Sequence, residues 1–304
     1  MLAEKTYPTY LKLRSDRRLT EIARRMTRRL ANCDLCPRLC RVNRLAGELG
    51  LCKGGELARV ASYGPHFGEE RPLVGTKGSG TIFFCGCNLG CIFCQNSDIS
   101  HGLSGDELDP EELAKVMLYL QSTGCHNINL VTPTHFLPQI LSALVIAIGG
   151  ELQLPIVYNC GGYEREEIIR EIDGVVDIYM PDFKFWESAP AEKYCSAGDY
   201  PERARQAIGE MHRQVGDLQM DERGIARRGI ILRHLVLPEG LSGTAGVARF
   251  ISSQISPDTY FNLMDQYRPC FKANSFSELS RRITAEEYRK AVQEVQAGGL
   301  RRLD

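Results

Sequence analysis

After residue 80 the chain alternates short β-branched or aromatic runs with longer stretches of helical spacing, and this rhythm limits the possible folds sharply. The runs are TIFF at 81–84, INLV at 128–131, PIVY at 155–158, VVDIYM at 175–180, IILRHLVL at 230–237 and TYFNLM at 259–264. Between them, segments such as DPEELAKVMLYLQSTG, LPQILSALVIAIGG and PERARQAIGEMHRQVG place apolar residues three and four apart. Six strand–helix units in succession call for a mostly parallel sheet, because parallel neighbours need a long crossover and the helices supply it. The expected class is therefore α/β, with the sheet doubly wound or curled into a barrel and the chemistry at the carboxyl ends of the strands.

The two ends depart from the rhythm and set the expected organisation. Residues 1–75 read as a basic helix and a cysteine-rich accessory segment, 76–282 as the β/α units, and 283–304 as a terminal helix. In RSDRRLTEIARRMTRRL the residues Leu19, Ile22, Met26 and Leu30 share one helical face and should meet the core. The Gly/Pro-rich SYGPHFGEERPLVGTKGSG reads as part of a layer wrapped on the barrel. In the tail, Thr284 and Glu287 are spaced for a capping box.

Charge and composition remove several function classes. A formal net charge of -1 gives no overall electrostatic case for nucleic acid or an acidic membrane surface. No apolar run approaches the roughly 20 residues that cross a bilayer, and no export signal is legible at the start, so the expected location is the cytoplasm. Twelve cysteines in so long a chain, eight of them in short-spaced groups before residue 95, favour metal ligation over disulfides. The scattered Cys125, Cys160, Cys195 and Cys270 read as small buried hydrophobes.

Directly after the first run comes FFCGCNLGCIFCQN. Cys87, Cys91 and Cys94 form C-xxx-C-xx-C in a tight loop. Thiolates are the usual ligands of iron–sulfur clusters, and three of them leave one iron of a four-iron cluster open, as a catalytic zinc keeps a position free. Cys85 lies two residues earlier, where alternation would give it the facing of Cys87, but its spacing assigns it no ligand role.

GCNLGCIFCQN resembles the signature of the radical S-adenosylmethionine superfamily, and its Gly-Cys start and Asn96 end resemble the pyruvate formate-lyase activating enzyme branch. Together with CDLCPRLCRVNR, PHFGEERPLVG and NLVTPTH, the likeness narrows to the PflX-like subgroup. It implies a partial (β/α)6 TIM-like barrel with an N-terminal cysteine-rich metal-binding extension. It implies a 4Fe-4S cluster on Cys87, Cys91 and Cys94, with S-adenosyl-L-methionine chelating the open iron. Reductive cleavage then releases a 5'-deoxyadenosyl radical that abstracts a hydrogen atom, an oxidoreductase chemistry fed by an electron donor such as flavodoxin or ferredoxin. The same likeness places Phe93 and Asn96 beside the cofactor. It also matches MPDFK to the pattern M-x-D-x-K, with Met180, Asp182 and Lys184 on one face of a strand. Lys184 would meet the cofactor carboxylate, Asp182 its ribose or methionine region or a monovalent cation, and Arg233 would lie nearby, where a charge within an apolar strand needs a partner.

Two departures matter. TPTH stands where the branch has Gly-Gly-Glu, so Thr132 and Thr134 hydroxyls or backbone carbonyls would receive the cofactor's amino group, and His135 reads as a proton-handling residue or a helix-start histidine, the second favoured. Asn159 and Cys160 stand in place of Asp-Thr, which takes a carboxylate from any cation site. Gly161 and Gly162 read as turn residues that let the cofactor approach.

Cys33, Cys36, Cys40 and Cys52 are four soft ligands, one pair tightly spaced, suited to zinc or a second Fe-S cluster. The resemblance leaves two substrates, a backbone glycine of a partner glycyl-radical enzyme or a small molecule. His66, Glu69, Glu70 and Arg71 stand ahead of the first strand as substrate-side candidates. A reading of another class is an iron–sulfur electron-transfer or scaffold protein without S-adenosylmethionine chemistry.

Overall fold

The computed structural model describes residues 7–15 and 17–304. Its sheet comprises β1 (Ala58–His66), β2 (Ser79–Phe84), β3 (Asp106–Leu108), β4 (Ile128–Val131), β5 (Ile156–Cys160), β6 (Ile178–Pro181), β7 (Gln219–Met220), β8 (Ala226–Leu235) and β9 (Tyr260–Met264). The fold is α/β with a mostly parallel sheet: β2, β4, β5, β6, β8 and β9 run parallel in that order. The helices Pro110–Ser122, Leu137–Gly149, Glu166–Glu171 and Tyr200–Val215 lie on the crossovers. Every residue of β5 and β6 is buried, as expected of parallel strands covered on both faces.

Helix starts follow local chemistry. Asp109 and Glu112 close a capping box ahead of Pro110–Ser122, and Thr284 and Glu287 close another ahead of Ala285–Ala297, so orphan N–H groups at both ends find side-chain oxygens. In the basic helix, Leu19, Ile22, Met26 and Leu30 are all buried.

The amino-terminal segment contributes more than a wrapping layer. β1 runs into the start of the stretch read as Gly/Pro-rich, pairs antiparallel with β2, and meets β3 only at residues 58–60. Pro65 lies beyond that second pairing, where one edge of β1 is free, and there a missing N–H costs no ladder bond.

Register positions the functional residues. Asp182 stands beside Arg233 and Arg233 beside Asn262, so a row of polar side chains crosses the carboxyl ends of β6, β8 and β9, and Asn159 at the end of β5 joins it through its bond from Arg233. Below it, Val157, Ile178, Met180, Ile231 and Tyr260 form an apolar layer. Among the described residues, no helix is long and apolar enough to cross a membrane.

Candidate active site

Above the polar row lies a cavity of about 240 Å³. One wall is the loop after β2, carrying Cys87, Cys91, Phe93, Cys94 and Asn96; the rest of the lining includes Thr132, Asn159, Asp182, Lys184 and Arg233. Residues distant in sequence meet here because parallel strands end at one edge.

The loop geometry depends on Gly86. Its φ is +82°, and a Cβ there would lie 2.2 Å from the Cys52 carbonyl oxygen, so only glycine lets the amino-terminal segment approach this closely. Each of the three cysteine sulfurs then faces at least one donor: Leu89 N–H to Cys87 at 3.4 Å, joined by Gly90 N–H, the Ser100 hydroxyl to Cys94 at 3.1 Å, joined by Asn96 N–H, and the Cys195 thiol to Cys91 at 3.3 Å. Burial pushes the Cys87 thiol up to about 12 and also raises Cys94; the Cys195 contact followed by burial raises Cys91. Such thiols ionise when a cation takes the proton's place, and three soft sulfurs on one wall, each met by a donor, are the donor set of an iron–sulfur cluster. Among the described residues no group of three His, Cys, Asp or Glu side chains is already arranged around a single metal ion.

The rest of the lining is a half-buried charge network that rests on the buried Glu70. Arg233 donates through Nε to Asp182 Oδ1 at 2.8 Å and through Nη2 to Asn159 Oδ1 at 2.7 Å, and Glu70 lies 3.5 Å from its Nη1. Lys184 Nζ donates to Asp182 Oδ2 at 2.6 Å. Burial alone would raise Asp182, yet the two cations hold it below the usual carboxylate range. Both Asp182 oxygens are thus engaged by protein cations, which disfavours a bound monovalent ion there. Thr132 has φ 59°, a rare conformation for a β-branched residue, held by its N–H bond to the Asn159 carbonyl at 2.8 Å.

Three expected residues lie elsewhere. Met180 shares the face of Asp182 but belongs to the apolar layer beneath the cavity. Thr134 turns into a 3₁₀ turn and donates to Glu164 at 2.6 Å. Cys85 is buried with its thiol on the Ser104 carbonyl at 3.4 Å; alternation fails because β2 ends at Phe84 and Gly86 reverses the chain. Gly162 makes room for protein backbone: a Cβ there would lie 2.2 Å from the Asp182 carbonyl oxygen.

Glu164 accepts from both Thr134 and Tyr158, the latter at 3.2 Å, and burial raises it from 4.5 to about 7. The folded state holds this proton more tightly than the unfolded chain, so its contribution to stability is present below about pH 4.5 and is lost as pH rises to about 7. The loss is about 3 kcal/mol. Glu164→Gln should remove that part of the decline in denaturant unfolding of the metal-free protein; an unchanged pH slope would refute the assignment.

Cys33, Cys36, Cys40 and Cys52 surround a second void, about 10 Å³, together with Arg44 and His135. Leu39, Arg41 and Lys53 take left-handed backbone conformations around it, strain that persists only where the surroundings enforce it. His135 is buried and lowered to about 4, chiefly by desolvation, so it is neutral. Its Nε2 donates to the Cys85 carbonyl at 2.8 Å, which ties this segment to the cluster loop.

Sequence reasoning did not find Ser100, Cys195 or Gln266. Ser100 and Gln266 line the cavity, and Cys195 contacts a cysteine 104 positions away. Their spacing carries no local signal. Glu69, by contrast, does line the cavity; Glu70 sits beside it, accepting from Asn262 at 3.2 Å.

Comparison with known proteins adds three likenesses. A family model described as the Radical SAM superfamily matches residues 81–216, which include the cysteine loop and the strand ends through Lys184. An uncharacterised protein of Methanocaldococcus jannaschii, MJ0674, is 34% identical over 272 residues, covering 86% of this chain and 73% of its own. The crystal structure of a radical SAM methyltransferase from Sphaerobacter thermophilus is similar at a TM-score of 0.48 and 15% identity over 74% of this chain; the chain spans 65% of that one's length.

Proposed function

Because the chain belongs to the radical SAM superfamily, we propose that Cys87, Cys91 and Cys94 hold a 4Fe-4S cluster and that S-adenosyl-L-methionine lies across the cavity toward Asp182, Lys184 and Arg233. When bound, these groups supply reductive cleavage of a sulfonium carbon–sulfur bond and a radical that abstracts hydrogen from a substrate. The observation that carries the reading is that the cysteine loop and the charged row line a single cavity.

The chain's own residues bind, orient and exclude water. Lys184 and Arg233 keep Asp182 ionised and fixed in place. Lys184 is half-buried and lines the cavity, where its ammonium would meet the carboxylate of a bound ligand. Phe93, braced edge-on against Phe185 at 5.9 Å, closes the loop side against solvent. The strand order and the Glu70–Asn262 bond, which joins the segment ahead of β2 to β9, support a partial barrel of six units. The PflX-like assignment rests on the sequence signatures.

For the substrate, a small polar molecule is the reading favoured over a glycyl-radical enzyme. A neighbouring cavity of about 220 Å³ shares Glu69, Arg233, Met264 and Gln266 with the first and adds Glu70, Arg71 and Asp304, a polar space of small-molecule size. Electrons would come from a flavodoxin- or ferredoxin-type donor in the cytoplasm. The amino-terminal cysteines are proposed as a closed structural or electron-relaying metal site. Metal analysis after anaerobic reconstitution should give zinc, or iron beyond four atoms per chain, that Cys36→Ala and Cys52→Ala remove; finding neither would eliminate that site.

The function itself is tested by anaerobic reconstitution, reduction with dithionite and chromatography. The expected products are 5'-deoxyadenosine and methionine, and their absence would refute the proposal. Adding a cell extract split by filtration then separates the substrates: stimulation by the small-molecule filtrate supports the small-molecule reading, and stimulation by the protein retentate alone supports the glycyl-radical reading.

A further inference from the structure

We propose that Cys195 is a positioning residue whose thiol donates a hydrogen bond to the Cys91 sulfur and thereby raises the reduction potential of the cluster; this rests on the reading that Cys91 is a cluster ligand. Cys91 and Cys195 lie 3.3 Å apart, and both are buried. A ligating cysteine is deprotonated and can only accept, so in the loaded protein Cys195 is the partner that keeps a proton to give. Hydrogen bonds to cluster sulfurs stabilise the more negative, reduced state.

The surroundings fix this contact rather than leave it to chance. Cys195 ends the helix Ser188–Cys195, and the Tyr194 carbonyl one residue earlier accepts from Ile92 N–H at 3.0 Å, directly beside Cys91. Arg38 inserts between the two segments. Its Nε donates to the Asn88 carbonyl at 2.9 Å, its Nη2 to the carbonyls of Leu89 at 3.0 Å and Cys195 at 2.8 Å, and its Nη1 to the Ser196 carbonyl. One guanidinium thus spans the cluster loop and the helix end, its rigid fork meeting four carbonyls. Cys87 and Cys94 receive their donors from within the loop and its following turn, whereas the donor to Cys91 comes from the end of a separate helix.

The test is an anaerobic redox titration of the reconstituted cluster, followed by electron paramagnetic resonance, on the unmodified chain, Cys195→Ala and Cys195→Ser, with iron per chain measured for each. Cys195→Ala should keep its iron and shift the reduction equilibrium about tenfold toward the oxidised state, about 59 mV more negative for one electron. Cys195→Ser keeps a donor and should titrate close to the unmodified chain. If alanine alone loses iron, the serine variant decides: iron and potential both retained support the proposal. An alanine variant with an unchanged potential, a serine variant that titrates like alanine, or loss of iron in both would overturn it. Failure of the unmodified chain to assemble a cluster would instead refute the reading on which the proposal rests.

Discussion

Cys87→Ala is expected to abolish iron retention in the cavity and to lower 5'-deoxyadenosine formation to the background of the metal-free protein. The loss should go well beyond the roughly 10–100-fold that removal of a supporting hydrogen bond costs, because a ligand itself is gone. Cys87 is the informative position. Cys91 has a second thiol 3.3 Å away in Cys195, which could step in as a ligand, whereas the nearest cysteine in sequence to Cys87, Cys85, is bonded to the Ser104 carbonyl away from the cavity. Cys85→Ser should accordingly keep the full iron content. Iron per chain and product per chain, measured together, separate the two variants; equal iron in Cys87→Ala and the unmodified chain would contradict the ligand assignment.

The second large effect is structural. Arg233→Met removes the cation shared by Asp182, Asn159 and Glu70. Asp182 keeps Lys184, but Glu70 loses its charged neighbour, and a buried charge left without its partner costs about 3–5 kcal/mol. Denaturant unfolding of the metal-free protein should show a loss of that order. Arg233→Lys should recover only part of it, because a point ammonium cannot reproduce the bidentate contact to two acceptors. The sign with pH follows from Asp182: its folded value is depressed, so its contribution is present above the ordinary carboxylate range and is lost as pH falls below that range through the lowered folded value. The gap between Arg233→Met and the unmodified chain should therefore narrow in acid. A gap that widens in acid, or a loss below about 1 kcal/mol as for an exposed pair, would show that the network is not a buried one.

Much of the fold was legible because parallel strands announce themselves as short apolar runs: all six of the runs contain or overlap a strand of the parallel sheet. β1 was not legible. Its Gly64 and Pro65 argue against a strand, and only the free edge beyond β3 makes that composition tolerable. The two-residue period placed Met180, Asp182 and Lys184 on one face, but period alone does not give depth, and Met180 belongs to the layer below. Arg233 announced that it needed a partner; which partner was decided by register, since Asp182 and Arg233 lie side by side only once β6 and β8 are paired. Ser100, Gln266 and Cys195 were invisible for the same reason. Their contacts are made by chain reversals and crossovers, not by spacing.

The same geometry explains why the amino-terminal cysteines and the cluster loop behave as neighbours. The Cys52 carbonyl rests against Gly86, His135 bonds the Cys85 carbonyl, and Arg38, between Cys36 and Cys40, holds the carbonyls of Asn88 and Leu89. A change in the first segment reaches the second through three separate contacts.

The central claim is that three thiolates hold a cluster with one iron left for S-adenosyl-L-methionine. The measurement that tests it most directly is the electron paramagnetic resonance spectrum of the reduced, reconstituted chain with and without that molecule. A change in the cluster signal at saturating S-adenosyl-L-methionine, absent when buffer alone is added, is the predicted result; a cluster signal that assembles fully and stays unchanged at saturation would contradict it.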